Sequence, residues 1–142
     1  MKVRQVMTPD ATWVSTDTTL TEAARLMQEL NVGALPVVED EELAGLITDR
    51  DIVVRAIAQG RNPSNTNVHE AMSSGLLYIY EDQEADEAAK LMELHSIRRL
   101  PVLNRDRKLA GMISLGDLAV ETEPDVSGEI LRHVSSPASP SR

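Results

Sequence analysis

The sequence predicts an α+β fold made of two pseudo-symmetric copies of one β-α-β-β-α unit, packed through their sheets. Three observations predict it. Sequence blocks recur in the same order, each copy pairs one amphipathic helical stretch with two strand-like runs around a polar turn, and a copy of about 60 residues is too small to bury its apolar surface alone.

The recurrence is explicit. KVRQVM at residues 2–7 answers NVHEAM at 67–72, EAARLM at 22–27 answers EAAKLM at 87–92, and ALPVV at 34–38 answers RLPVL at 99–103, all displaced by 65 positions. GLITDRDI at 45–52 answers GMISLGDL at 111–118 with a displacement of 66, so one residue has entered the turn between the last two blocks. A surface turn tolerates such an insertion. The first repeat is assigned to 1–60, a polar linker rich in turn formers to 61–67, the second repeat to 68–120, and a C-terminal extension to 121–142.

Within each repeat, Trp13-Val14 and Tyr78-Ile79 are short apolar runs ahead of polar turns and predict the first strand. Residues 19–30 carry Leu20, Ala23, Met27 and Leu30 on one helical face, with Thr19 and Glu22 spaced as a capping box; Ala85, Ala88, Met92 and His95 repeat that face. Residues 36–38 and 43–47 flank the acidic turn EDEE, and 101–103 and 109–113 flank NRDRK, each pair predicting a hairpin with proline at a tolerated strand start. A second helix is expected from Asp49 to a stop at Gly60. Residues 126–134 predict one short amphipathic helix, and SSPASPSR at 135–142 a disordered tail.

Composition narrows the function. A net charge of −9 argues against a nucleic-acid binder, whose work is to neutralise phosphates. The charge is uneven, however: Arg98, Arg99, Arg105, Arg107 and Lys108 stand close together against Asp106 alone, enough to hold a small anion. There is no cysteine, no apolar run of membrane-spanning length and no secretion signal in MKVRQVMTPD, which together predict a cytoplasmic protein without a membrane.

The most informative pattern is the end of each repeat. Thr48 and Asp51, and again Ser114 and Asp117, lie three apart where an apolar strand gives way to an apolar helix. Taken alone, such a pair is a helix cap, the hydroxyl accepting an early N–H and the carboxylate sitting at the positive end of the dipole. The whole pattern says more. Gly, two apolar residues, Thr or Ser, two variable residues and Asp, preceded by LPVV or RLPVL and by VMTPD (degenerate as AMSSG in the second copy), resembles the cystathionine β-synthase (CBS) domain, here as a stand-alone tandem or Bateman module over roughly residues 3–120.

That resemblance implies a regulatory module that binds adenosine-containing ligands (AMP, ADP, ATP or S-adenosylmethionine) in two clefts between paired repeats. Thr48 and Asp51, and Ser114 and Asp117, would hold the ribose hydroxyls, which suits an ionised carboxylate able to accept two O–H groups at once. Thr12, Trp13 and Val14 in one copy and Leu77, Tyr78 and Ile79 in the other would border the adenine. Arg98 and Arg99 match positions of phosphate-contacting residues, whereas the first repeat has Gly33 and Ala34 there, with Arg50 and Arg55 on its exit helix as partial substitutes. The two sites are therefore expected to be unequal. The family also implies a homodimer formed through the helices and output through an effector protein; a ligand-free interaction module is the alternative.

No catalytic or metal constellation is predicted. His69, His95 and His133 are far apart and lack metal-ligand spacing, and His95 is expected to be a partly buried structural residue. Asp49, Asp51 and Asp117 fit helix starts better than a Mg²⁺ site.

Overall fold

A computed structural model of the chain describes residues 1–73 and 75–121. The short helix expected over 126–134 and the tail at 135–142 lie outside the described residues. In chain order the elements are α1 (Val3–Val6), β1 (Thr8–Pro9), β2 (Val14–Ser15), α2 (Leu20–Leu30), β3 (Ala34–Glu39), β4 (Glu42–Thr48), α3 (Asp49–Ile52), β5 (Ile79–Tyr80), α4 (Ala85–His95), β6 (Arg99–Leu103), β7 (Leu109–Ser114) and α5 (Leu115–Glu121). A π-turn follows α3 at Val53–Ile57, and two 3₁₀ turns lie at Pro63–Asn65 and Val68–Glu70. The α+β class is as the sequence predicts.

The chain forms two compact units, one of Thr12–Leu76, the other of Met1–Ala11 with the chain from Leu77 on. In the first, β2 runs parallel to β3 and β3 antiparallel to β4, giving the order β2-β3-β4. The β3–β4 hairpin turns on Asp40 and Glu41, both at positive φ, the two-residue geometry whose twist matches that of the strands. Val14, Leu20, Ala23, Met27, Leu35, Val37 and Ile47 are buried between the sheet and α2.

The other unit repeats this plan and extends it. β5 is parallel to β6, β6 antiparallel to β7, and β1 adds an antiparallel edge strand, giving β1-β7-β6-β5. Its core contains Ile79, Ala88, Met92, Leu100, Val102, Ile113 and Leu118, together with Val3 and Val6 from the opposite end of the sequence. The compact units thus do not follow the sequence repeats: the lead segment of each repeat packs with the body of the other.

Several local expectations need correction. The first strands begin one residue later than Trp13 and Tyr78, leaving those aromatics outside the ladders. Leu30 is 44% exposed and His95 is exposed, so neither serves the core. Both close their helices, which end at Asn31 and Ser96 in left-handed conformation, and the last turn leads away from the buried face. The helix expected over 49–60 is α-helical only to Ile52. The segment 61–67 is ordered against α2: Thr66 is 3% exposed and its carbonyl accepts the Leu20 N–H at 2.9 Å.

Candidate functional site

In each unit the hairpin's second strand runs straight into a helix, and a hydroxyl residue stands at the junction. Thr48 has extended backbone; its Oγ1 accepts the Asp51 N–H at 3.0 Å, and Asp51 Oδ2 accepts the Thr48 N–H at 3.0 Å. Ser114 and Asp117 do the same, Oγ accepting the Asp117 N–H at 3.1 Å and Oδ2 the Ser114 N–H at 2.9 Å. This reciprocal cap is the geometry that the three-residue spacing predicts. Asp51 is only 9% exposed, so its carboxylate direction is fixed by the cap and its surroundings.

The start of the neighbouring strand is tied to the same junction. The Asp49 N–H donates to the Gly33 carbonyl at 2.9 Å, and Ala34 pairs in register with Thr48. The Leu115 N–H donates to the Arg98 carbonyl at 2.7 Å, and Arg99 pairs with Ser114. Two residues that are distant in sequence from each Thr/Ser–Asp pair are thereby brought beside it, and in one unit both are arginines.

Chemically, each junction presents one carboxylate whose Oδ2 accepts a backbone amide, and at Asp51 the other oxygen faces Arg55 at 4.0 Å. A carboxylate oxygen has two lone pairs, so Oδ1 suits a vicinal diol. The Arg98-Arg99 junction adds cationic, planar donors that suit phosphate. Gly33 and Ala34 supply none.

Residues 3–57 and 68–121 each match the CBS domain family. The chain belongs to that family. It is 42% identical over 134 residues to the CBS domain-containing protein YhcV of Bacillus subtilis, covering 94% of both chains. It is similar to hypoxic response protein 1 of Mycobacterium tuberculosis, 33% identical over 135 residues and 94% of both chains. A crystal structure of hypoxic response protein I with two coordinated zinc ions superposes with a TM-score of 0.80 at 33% identity, over 87% of this chain and 100% of that one. The structure of CBSX2 in complex with AMP superposes with a TM-score of 0.73 at 27% identity, over 84% and 93% of the two chains.

Other predicted site residues of the CBS repeats are distributed as follows. Thr12 is exposed, Trp13 is 52% exposed, and Val14 is buried in its unit's core. Leu77 and Tyr78 are half-buried and Ile79 is fully buried, so the two aromatic positions are not equivalent. Tyr78 meets Tyr80 edge to face at 5.5 Å, with the Arg107 guanidinium 5.6 Å from the centre of the Tyr78 ring. Hydrogen bonding to Tyr80 and then to Arg107 holds the Tyr78 phenol below its usual pKa. Arg107 belongs to the basic cluster that the sequence shows, whereas Tyr80 is not singled out there; its alternation with Tyr78 is the signal that points to it.

Arg50 is exposed, while Arg55 lies with Nε 4.0 Å from Asp51 Oδ1 and Nη1 donating to the Met72 carbonyl at 3.1 Å. His69 Nδ1 lies 3.1 Å from the Thr16 carbonyl, and His133 is outside the described residues. Among the described residues no group of three His, Cys, Asp or Glu side chains is set to hold a metal ion, and no helix is long and apolar enough to cross a membrane.

Proposed function

We propose that the chain is a cytoplasmic, non-catalytic regulatory module that binds adenosine-containing ligands and passes their occupancy to an effector protein. Its repeats, 1–60 and 68–120, contribute one ribose acceptor each: Thr48 with Asp51, and Ser114 with Asp117. The observation that carries this reading is the duplicated strand-to-helix junction in which each Asp caps through Oδ2; Oδ1 takes the diol. The AMP complex of the similar protein CBSX2 supports the ligand class. Arg98 and Arg99 take the phosphate at the second repeat's junction, and the first repeat, with Gly33 and Ala34, accepts an adenosine group of lower charge. Trp13 and Tyr78 border the base.

Isothermal titration with adenosine, AMP, ADP, ATP and S-adenosylmethionine, repeated on Asp51→Asn and Asp117→Asn, tests the reading. Micromolar binding of a nucleotide, weakened by one of the two substitutions, is expected. No binding of any of the five by protein verified free of nucleotide would return both pairs to helix capping.

A second reading, an interaction module acting through a homodimer, has its own support. Val53, Val54 and Ile57 are 57%, 42% and 53% exposed on one short stretch. Apolar side chains grouped in this way mark association surfaces. Light scattering that returns a monomer mass at micromolar concentration would remove it.

A further inference from the structure

The helix leaving the Thr48 junction is irregular in a way that serves one side chain. Past Ile52 it widens into the π-turn, where the Ala58 N–H reaches back to the Val53 carbonyl at 2.8 Å and the Arg61 N–H to the Ala56 carbonyl at 2.9 Å. Such a turn adds a residue to one helical repeat and changes the direction of the side chains on it, and it occurs often at functional positions. Arg55 stands in the middle of it.

Arg55 lies against two groups fixed by different parts of the chain, within ion-pair range of one and hydrogen-bonded to the other. One is Asp51 Oδ1, 4.0 Å from Nε, the oxygen not used by the cap. The other is the Met72 carbonyl, 3.1 Å from Nη1. The segment carrying Met72 is itself anchored to β4, because the Ser73 N–H donates to the Leu46 carbonyl at 3.2 Å. Gly45 permits that approach: a Cβ there would lie 2.9 Å from the Ser73 oxygen and 3.3 Å from Met72 Sδ. With Nη1 anchored on the Met72 carbonyl, the guanidinium is kept within ion-pair range of Asp51. The matching position of the second repeat is glutamate in the sequence, so the two repeats differ here in charge.

We propose that Arg55 is a positioning residue for the first repeat's ribose site: it holds Asp51 Oδ1 in the orientation that accepts a sugar diol, acts through that carboxylate, and makes no phosphate contact. The inference rests on the ribose-acceptor role of Asp51 proposed above. At 4.0 Å Arg55 acts on Oδ1 through its charge rather than a hydrogen bond, which leaves the lone pairs of that oxygen to a hydroxyl.

The test is titration of the full chain carrying Asp117→Asn, so that the first repeat is read by itself, with adenosine and with AMP. Adding Arg55→Gln is expected to weaken both ligands by the same factor, about fivefold, the upper range for a half-exposed ion pair. Arg55→Lys keeps the charge one helical turn from Asp51 and is expected to recover most of that loss. Circular dichroism melts establish that the variants are folded. Weaker AMP with unchanged adenosine would make Arg55 a phosphate contact and overturn the inference, as would no change with either ligand. A Lys variant no better than the Gln variant would reduce Arg55 to a helix-packing residue, overturning it too. If the Asp117→Asn parent binds neither ligand while the unsubstituted chain does, Asp51 is no ribose acceptor and this inference falls, leaving the module reading intact; if the unsubstituted chain also fails, both fall.

Discussion

The backbone N–H of Val3 donates to the Gln83 carbonyl at 2.8 Å, and the N–H of Val68 donates to the Thr18 carbonyl at 2.7 Å. These are the same bond made in the two repeats. Arg4 N–H to Glu81 carbonyl at 3.0 Å matches His69 to Thr16 at 3.2 Å, and Ala85 N–H to Met1 carbonyl at 2.7 Å matches Leu20 to Thr66 at 2.9 Å. Each repeat's lead segment therefore completes the other repeat's body, satisfying backbone groups that would otherwise be orphaned at the start of α2 and α4. One repeat alone cannot make either compact unit.

The exchange makes Val3 a core residue despite its place near the chain end. Val3 is fully buried among the second repeat's side chains, so Val3→Ala is expected to cost about 2 kcal/mol, from lost transfer energy and the cavity left behind. Leu30→Ala, at a residue 44% exposed, is expected to change stability by less than about 0.5 kcal/mol. Urea denaturation of both variants checks the contrast, and equal losses would mean that the lead segment is not docked.

The same exchange explains two strand glycines. A Cβ on Gly111 would stand 2.3 Å from the Thr8 carbonyl oxygen and 3.2 Å from Pro9 Cα, and one on Gly45 would stand 2.9 Å from the Ser73 oxygen. Both lie where a lead segment crosses the sheet edge, and backbone cannot move aside as a side-chain tip can. Gly111→Ala is expected to destabilise by about 1–3 kcal/mol and Gly45→Ala by less, since overpacking scales with the overlap to be relieved. Thermal melts of the two variants give the order; a neutral Gly111→Ala would count against the β1–β7 pairing.

Much of this architecture is legible in the sequence because its signals are local. Duplicate blocks reveal two repeats, the acidic or basic turns reveal the hairpins, although Pro36 and Pro101 stand third in β3 and β6 rather than at the expected strand starts, and Thr48 with Asp51 is readable because a cap depends on spacing alone. The unread parts depend on distant contacts. No periodicity marks the four residues of α1 as a helix, and their partners lie near residue 83. Arg99 is joined to the site in the sequence by the family resemblance alone, and strand register is what makes it a neighbour of Ser114. Arg55 looks like any exposed arginine on a regular helix until the π-turn brings it to Asp51, and Leu30 and His95 continue a helical face that the buried surface does not follow to its end.

Acid should weaken the docking of the lead segment. Glu84 accepts from Lys2 Nζ at 2.9 Å and from the N-terminal ammonium at 3.1 Å, and these hydrogen bonds, Lys2 first, hold its carboxyl below the ordinary glutamate value. A depressed folded-state pKa contributes stability that is present above the unfolded value, about 4.3, and lost as pH falls through the lower folded value. Glu84→Gln is therefore expected to lower the melting temperature near neutral pH, with the difference from the unsubstituted chain vanishing as pH falls below about 4. Both side chains are near half-exposed, so added salt should shrink the difference as well. A gap between the two proteins that stays constant with pH would assign the effect to something other than charge.

Arg98 and Arg99 offer the sharpest distinction between the two repeats, because the residues at the same positions in the first repeat, Gly33 and Ala34, carry no charge. The Leu115 N–H fixes the Arg98 carbonyl and the β6–β7 register places Arg99 opposite Ser114, so backbone bonds independent of the side chains hold both residues at the junction. Replacing both by Gln in a chain carrying Asp51→Asn should leave the second repeat's fold intact while removing its cationic donors. AMP is then expected to bind at least about tenfold more weakly, since hydrogen bonds to charged groups contribute roughly 1.5–3 kcal/mol. Adenosine, which has the ribose and base but no phosphate, should bind with unchanged affinity. Calorimetry with the two ligands on one variant measures the ratio directly; if adenosine weakens as much as AMP does, the arginines serve the shape of the junction, and its anion preference must come from elsewhere in the repeat.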